Sequence, residues 1–202
     1  MQVRVSPLAG VFGVGAVLIG VAAALLGGGP GGLQEGIAEA LTVAAAALLH
    51  ELGHVAAAWG WGIPVKALRL DLFGARMELC GLVPYRAELA VAAGGPLVSL
   101  LAASLALPFG RIWEGAYLFA AVSLGLGALN LLPVKGMDGG RMLFCLLAML
   151  FGERAADVTL RAATGLALGG LWLLSVYALL RVGEALTLFA FALCLLLRLL
   201  SP

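Results

Sequence analysis

The sequence predicts an α-helical integral membrane protein with about six transmembrane helices, a small membrane-associated β-hairpin or sheet, and a short re-entrant or interfacial segment. Two observations predict this class. The 202 residues are 63% hydrophobic and 11% charged, with a mean hydropathy of +1.10, whereas soluble domains carry about 25% charged residues. Several apolar runs also reach the roughly 20 helical residues that cross the 30 Å hydrocarbon core of a bilayer.

Six apolar runs have this length, at about 8–27, 37–60, 88–108, 112–132, 160–180 and 184–200. We interpret the first as a retained helix rather than a signal peptide, because it is longer than a usual signal-peptide core and no clear cleavage site precedes Gly27. With the N-terminus in the cytoplasm, only Arg111 and Arg181 of the 12 basic residues lie outside. The N-terminus and the segments 61–87 and 133–159 are therefore predicted to be cytoplasmic.

The two long cytoplasmic segments have different patterns. Apolar and charged residues alternate at about 67–80, on both sides of Phe73-Gly74, which predicts a β-hairpin. The apolar run that follows Asp138 is too short to span a bilayer, which predicts a short interfacial or re-entrant helix.

Composition also excludes some partners and indicates close packing. The net charge is +1 and no basic run exceeds two residues, which argues against nucleic acid as a partner. The three cysteines are widely spaced, so they predict neither a disulfide framework nor a metal knuckle. Glycine is abundant, at 29 residues, as expected where membrane helices approach closely. Gly53, Gly60, Gly94 and Gly95 either serve this packing or make room for water.

The second apolar run contains the chain's only two histidines, in His50-Glu-Leu-Gly-His54. Residues i and i+4 share one helix face, so both imidazoles can bind one metal ion, with Glu51 offset by about 100°. In this HExxH pattern the histidines bind Zn²⁺, which lowers the pKa of bound water to about 7, and the glutamate accepts the proton. Each ionisable residue near a membrane helix centre costs at least about 2.5 kcal/mol, which favours a metal site over a structural polar cluster.

A catalytic zinc usually has three protein ligands, so a carboxylate is needed as the third. The candidates are Asp71, Glu78, Glu114, Asp138 and Asp157. Asp71 and Glu78 belong to the polar face of the hairpin. Glu114 is predicted on the other side of the membrane, and Asp157 in a solvated linker. Asp138 is preferred because the two glycines after it permit close backbone approach and unusual backbone angles, although a simple Asp-Gly-Gly turn also fits the spacing.

Two motifs together resemble the site-2 protease family, the intramembrane zinc metalloproteases of family M50: HELGH in the second run and NLLPVKGMDGGR after a later run. The stretch AAGGPLVSL is similar to the Gly-Pro motif of the family's core helix, with Ser99 where many members have Asn. The resemblance covers about residues 8–145. It is closest to the branch of the stage IV sporulation protease, which processes pro-sigma-K.

This resemblance implies a single intramembrane metalloprotease domain over residues 1–202, without a PDZ or CBS domain. The catalytic core lies at about 37–145 and the C-terminal helices at about 160–200. Because the chain stops at Pro202 after a hydrophobic run, we do not expect nucleotide gating through a CBS domain.

The resemblance also implies one Zn²⁺ per chain, with the ligands His50, His54 and Asp138. Glu51 is implied as the general base. Asn130 is implied to hold the substrate backbone or the site geometry, against the alternative of a helix-terminating residue before Pro133. The hairpin edge at about Leu68–Phe73 is implied to take the substrate as an added strand.

The predicted function is that of an intramembrane zinc metalloprotease, which hydrolyses a peptide bond in or near a membrane-associated segment of a substrate protein. The resemblance implies regulated proteolysis of a pro-sigma factor in sporulation and an inhibitory membrane protein as partner. It places the chain in the bacterial cell membrane or the membrane around the forespore, with the active site on the cytoplasmic side. The alternatives are a polytopic metal-ion transporter and a catalytically inactive scaffold. A transporter would repeat polar residues along a pathway, whereas this chain has one compact cluster.

Overall fold

The structure, a computed structural model, describes residues 2–5, 32–71, 74–79 and 83–182. The strands in this part are β1 (Gln2–Val5), β2 (Val65–Asp71) and β3 (Gly74–Leu79). The helices are α1 (Gly32–Gly60), α2 (Tyr85–Ala106), α3 (Glu114–Asn130), α4 (Asp138–Phe151) and α5 (Glu153–Val182), with a 3₁₀ helix at Leu107–Arg111. Contacts divide the chain into two units, Met1–Leu129 and Asn130–Pro202. The single domain expected from the sequence stays a prediction.

Three of the described helical stretches are long and apolar enough to cross a membrane. They are Gly36–Gly60, Tyr85–Arg111 and Glu153–Ala178, and they correspond to the spans predicted at 37–60, 88–108 and 160–180. The run at 112–132 forms α3, whose 17 residues extend about 26 Å, just short of the hydrocarbon core. The runs at 8–27 and 184–200 lie outside the described residues, so the total of six spans stays a prediction.

Helices α1 and α2 pack closely because glycine lets their backbones meet. A Cβ atom on Gly53 would lie 2.5 Å from the carbonyl oxygen of Gly94, and one on Gly94 would lie 2.5 Å from the carbonyl oxygen of Gly53. Any larger residue would separate the two helices. These two glycines therefore serve helix packing, whereas a Cβ on Gly60 would have no neighbour within 4 Å. The opposite side of α1 exposes large apolar side chains: Leu41, Leu48, Leu52 and Trp59.

The predicted hairpin region forms two antiparallel strands of a three-stranded sheet with the order β1-β2-β3. Strand β1, which the sequence analysis did not predict, pairs parallel to β2 from Gln2↔Ala67 to Val5↔Leu70. The other side of β2 pairs with β3, including Leu68↔Met77 and Leu70↔Ala75. The prediction that Leu68–Phe73 offers an open edge is therefore wrong over Leu68–Leu70, because β1 occupies that side of the strand. Residues 72–73 and 80 lie outside the described part.

In the second unit, α4 is short and α5 is long. The 14 residues of α4 extend about 21 Å, too little to cross the hydrocarbon core. Helix α5 begins at Glu153, so the cytoplasmic linker predicted to continue to residue 159 is helical in its last part. An exposed ion pair of 2.6 Å between Asp157 and Arg161 joins successive turns there, a spacing that stabilises helices.

Candidate metal centre

The two histidines of the HExxH motif lie on the side of α1 that packs against α2. His50 is 3% exposed and His54 is 7% exposed. Their Nε2 atoms face each other at 3.3 Å, and the two rings are nearly perpendicular, at 82°. The predicted one-face geometry is therefore present, with the two ring nitrogens directed at a common point.

This separation fits a tetrahedral zinc ion. Zn–N bonds of about 2.0–2.1 Å at a tetrahedral angle place two ligand nitrogens about 3.3–3.4 Å apart. If both imidazoles carry their proton on Nδ1, the two Nε2 lone pairs face each other. Such a pair is unfavourable in a buried site unless a cation lies between them. The hydrogen bonds of the two Nδ1 atoms indicate whether each Nδ1 carries the ring proton.

For His54 the proton is on Nδ1. This atom lies 2.7 Å from the carbonyl oxygen of Val91, and a carbonyl can only accept, so Nδ1 must donate. The amide N–H of Gly95 also approaches Nδ1, at the longer distance of 3.3 Å. Nε2 of His54 is consequently the unprotonated nitrogen that can bind a metal. This is the usual arrangement of histidine ligands in metal sites, where the second ring nitrogen is hydrogen-bonded.

For His50 the partner is the hydroxyl of Ser99, on α2. Nδ1 of His50 lies 2.9 Å from Oγ of Ser99, and Ser99 is 2% exposed. A hydroxyl can accept a hydrogen bond from a protonated Nδ1, and in that tautomer Nε2 is left for the metal. Sequence reasoning singled out Ser99 only as a departure from the family's Asn. Its contact with a histidine 49 positions away depends on the helix packing and has no signal in local spacing.

Ser99→Ala is expected to weaken zinc binding by about 10–100-fold, the usual effect of losing an outer hydrogen bond to a metal ligand. Alanine cannot hydrogen-bond to Nδ1, so His50 would lose the contact that orients its ring. Affinity is measured by competition with a chromophoric chelator in detergent. Ser104→Ala is the matched control, because Ser104 is an exposed residue of α2 that donates to its own helix, at Leu100. Equal affinity of the two variants would remove Ser99 from the site.

Glu51 follows His50 on α1 and is half-buried. Its Oε2 atom is shielded from solvent. The helix offsets Glu51 from His50 by about 100° around its axis, as the motif predicts.

Asp138 is the first residue of α4, directly after a tight loop. The loop has a turn in which the N–H of Met137 donates to the carbonyl of Val134 at 3.0 Å, with Gly136 at a φ of 98°. A Cβ on Gly139 would overlap the carbonyl of Leu131, and one on Gly140 would overlap the carbonyl of Val134. The two glycines therefore permit close backbone approach, as predicted. The expected unusual backbone angle is at Gly136 instead, since neither of them has a positive φ.

The other predicted site residues are Asn130 and four further carboxylates. Asn130 is the last residue of α3, which fits the alternative of a helix-terminating residue, and its role toward substrate stays a prediction. Glu114 is exposed at the start of α3, and Asp157 is paired with Arg161. Asp71 ends β2 and Glu78 lies in β3.

Comparison with known proteins gives one family match and several similar sequences. The profile of Peptidase family M50 matches residues 110–173, which contain the Asp138 loop. A zinc metalloprotease of Methanocaldococcus jannaschii is 30% identical over 112 residues, which is 52% of this chain and 33% of that protein. Stage IV sporulation protein FB of Bacillus subtilis is 35% identical over 107 residues, which is 50% of this chain and 37% of that protein. The chain thus matches peptidase family M50 over residues 110–173.

The fold is similar to that of a solved structure. The solved structure of the site-2 protease from Methanocaldococcus jannaschii matches with a TM-score of 0.63 at 22% identity, covering 96% of this chain and 88% of that chain. A protein of Synechocystis sp. is 33% identical over 149 residues, which is 68% of this chain and 38% of that protein. The chain thus spans 33–38% of the length of these three curated relatives.

Proposed function

We propose that this chain is an M50 zinc metalloendopeptidase that hydrolyses a peptide bond in or near a membrane-associated segment of a substrate protein. The observation that carries the proposal is the buried histidine pair, whose Nε2 atoms lie 3.3 Å apart while both Nδ1 atoms are hydrogen-bonded. The similarity to a protein named a zinc metalloprotease favours a peptidase over a metal-ion transporter. Glu51 beside the pair favours an active enzyme over an inactive scaffold.

The proposed ligands of one zinc ion per chain are His50, His54 and Asp138. Two imidazole nitrogens and one carboxylate oxygen form a common donor set of catalytic zinc, which leaves a fourth position for water or substrate. The choice of Asp138 is supported by its place in the N-x-x-P-x-x-x-x-D-G motif. It is further supported by the two glycines that follow it, which fix the loop backbone close to the start of α4.

The proposed chemistry divides between the metal and Glu51. When bound, zinc supplies a Lewis acid that polarises the scissile carbonyl and acidifies water. Glu51 accepts one proton from the attacking water while the water oxygen bonds to the carbonyl carbon. Glu51 then returns this proton to the amide nitrogen as the C–N bond breaks, which releases a carboxylic acid and an amine.

The substrate is proposed to bind as an added strand. Because β2 is paired on both sides, we place the added strand on the outer edge of β3, Gly74–Leu79. Main-chain hydrogen bonds would hold the substrate extended, which exposes a peptide bond that a helical segment conceals. Asn130 remains a second candidate contact for the substrate backbone.

The proposed substrate class is a pro-sigma factor with a membrane-associated segment. It is supported by the similarity to stage IV sporulation protein FB, and an inhibitory membrane protein is proposed as a further partner on the same resemblance. We place the chain in the bacterial cell membrane or the membrane around the forespore. The N-terminus and the zinc site are proposed to face the cytoplasm because of the distribution of basic residues. The accessibility of an N-terminal tag in intact cells would test this orientation.

The test of the zinc site is elemental analysis of the purified protein in detergent. We expect about one zinc per wild-type chain, the value for a single three-ligand site, and a much lower content in His54→Ala and Asp138→Asn. Each variant removes a donor, and asparagine lacks the negative charge that stabilises the ion. Asp157→Asn is the matched control, because Asp157 is paired with Arg161 on the surface.

Zinc content that is unchanged in Asp138→Asn would contradict Asp138 as a ligand and reopen the choice among the carboxylates. A wild-type protein that holds no zinc after purification in metal-containing buffer would contradict the proposed enzyme class itself.

A further inference from the structure

Helix α5 carries a buried hydroxyl in the middle of an apolar stripe. The residues Ala156, Leu160, Thr164 and Leu168 recur at every fourth position and are buried, so they form one face of the helix. Thr164 is 1% exposed. Packing alone would accept valine at this position, since valine has the same shape. A buried hydroxyl is unfavourable unless it is hydrogen-bonded, so its partners indicate why threonine is present.

The partners of Thr164 are two peptide groups of the loop between α3 and α4. The backbone N–H of Lys135 donates to Oγ1 of Thr164 at 2.9 Å, and Oγ1 donates to the carbonyl of Pro133 at 3.4 Å. A threonine within a helix usually bonds to a carbonyl of its own preceding turn. Ser175 in the same helix does bond within the helix, to the carbonyl of Trp172 at 2.7 Å.

Thr164 lies in the interior of α5, away from the end of the helix. Thr164 is about 16 Å along the axis from Glu153, where α5 begins. This part of α5 lies within one of the stretches that are long and apolar enough to cross a membrane. The hydrogen bond from the Lys135 N–H to Thr164 is partly buried, and a peptide group shielded from water needs a protein partner. The hydroxyl supplies this partner and holds the loop against the helix.

The segment that bonds to Thr164, Pro133–Lys135, lies just before Asp138 in the chain. Lys135 is three residues before Asp138, and the turn from Val134 to Met137 joins the two. The N–H of Arg141 then donates to the carbonyl of Met137 at 3.1 Å, which starts α4. A displacement of Pro133–Lys135 would consequently change the position of the first residue of α4.

We infer that Thr164 is a positioning residue for the Asp138 loop: its hydroxyl fixes the backbone of Pro133–Lys135 and thereby sets the carboxylate of Asp138 for the metal. This inference rests on the proposed function, because it takes Asp138 as a zinc ligand. It extends the metal centre to α5, a helix outside the two sequence motifs.

The test compares zinc affinity of Thr164→Val with that of Thr164→Ser, by chelator competition on the full-length protein in detergent. We expect Thr164→Val to bind zinc about 10–100-fold more weakly, as on loss of an outer-shell hydrogen bond, and Thr164→Ser to bind as the wild type does. The absorption spectrum of bound Co²⁺, which reports the ligand set, is expected to change in Thr164→Val alone. Ser175→Ala is the matched control, because it removes a buried hydroxyl from α5 that does not contact the loop.

The outcomes separate this inference from the proposed function. If Asp138→Asn loses zinc while Thr164→Val binds it normally, the inference is overturned and the ligand set stands. If Asp138→Asn binds zinc normally, the ligand set fails and the inference with it. Equal losses in Thr164→Val and Thr164→Ser would show that packing, not the hydroxyl, is responsible. If Thr164→Val does not fold, Thr164→Ser and Thr164→Ala, which differ only by the hydroxyl, decide the question in the same assay.

In the background of Asp138→Asn, Thr164→Val is expected to cause no further loss of zinc affinity, since the carboxylate that the loop positions is already absent. Additive losses would show that Thr164 acts on the site by a route other than Asp138, and would overturn the inference.

Discussion

Glu51→Gln is expected to reduce the rate of substrate cleavage by about 10²–10⁴-fold, the contribution of a positioned general base, while the zinc content stays at the wild-type level. Glutamine has nearly the shape of glutamate but cannot accept a proton from water. The Nδ1 atoms of the histidine pair are held by Ser99 and Val91, so the metal donors should keep their positions. The measurement is the decay of full-length pro-sigma factor, tagged and co-expressed, together with zinc analysis of the purified protein.

The chain offers a matched control in the same helix. Glu39 is an exposed residue of α1, eleven positions before His50, and Glu39→Gln removes the same charge without touching the site. It should cleave at the wild-type rate. Wild-type cleavage by Glu51→Gln would show that another group accepts the proton, and the proposed mechanism would be wrong. Loss of zinc in Glu51→Gln would mean that this carboxylate supports the ligands rather than the chemistry.

The histidine pair could be predicted from the sequence because its geometry is local. A helix fixes the relation between residues i and i+4, so the spacing of His50 and His54 was sufficient to place both imidazoles on one face. The preference for Asp138 had a weaker local basis, since a turn also explained Asp-Gly-Gly. The two glycines and the places of the other carboxylates favour it from the residues alone, and the second motif, read together with the first, strengthens the preference.

The supporting contacts could not be predicted because they join residues far apart in sequence. Ser99 meets His50, and Thr164 meets Lys135, only after the helices pack. The parallel pairing of β1 with β2 is equally non-local, and four residues at the N-terminus are too few to show a strand pattern of their own. The error about the open edge of Leu68–Leu70 follows from this missing strand.

Gly95→Ala is expected to lower the zinc affinity by at least about 100-fold. This is the upper end of the range for changes around metal ligands. A Cβ on Gly95 would overlap Nε2 of His54 and would lie 2.7 Å from Nε2 of His50, which are the proposed metal donors. The methyl group cannot rotate away, because Cβ is fixed by the backbone of α2. Either imidazole could move aside only by giving up its hydrogen bond, His54 with Val91 or His50 with Ser99.

Alanine variants of two other glycines distinguish this direct effect on the metal site from a general loss of helix packing. Gly60→Ala has open space around the new methyl group and should keep the wild-type zinc affinity. Gly94→Ala introduces a methyl group 2.5 Å from the Gly53 carbonyl oxygen, so it should lower the thermal stability by forcing α1 and α2 apart. If Gly94→Ala and Gly95→Ala lost zinc and stability in equal measure, helix packing would explain both. If Gly95→Ala loses zinc but unfolds near the wild-type temperature, Gly95 lies at the metal. If Gly95→Ala binds zinc normally, the proposed donor atoms are wrong.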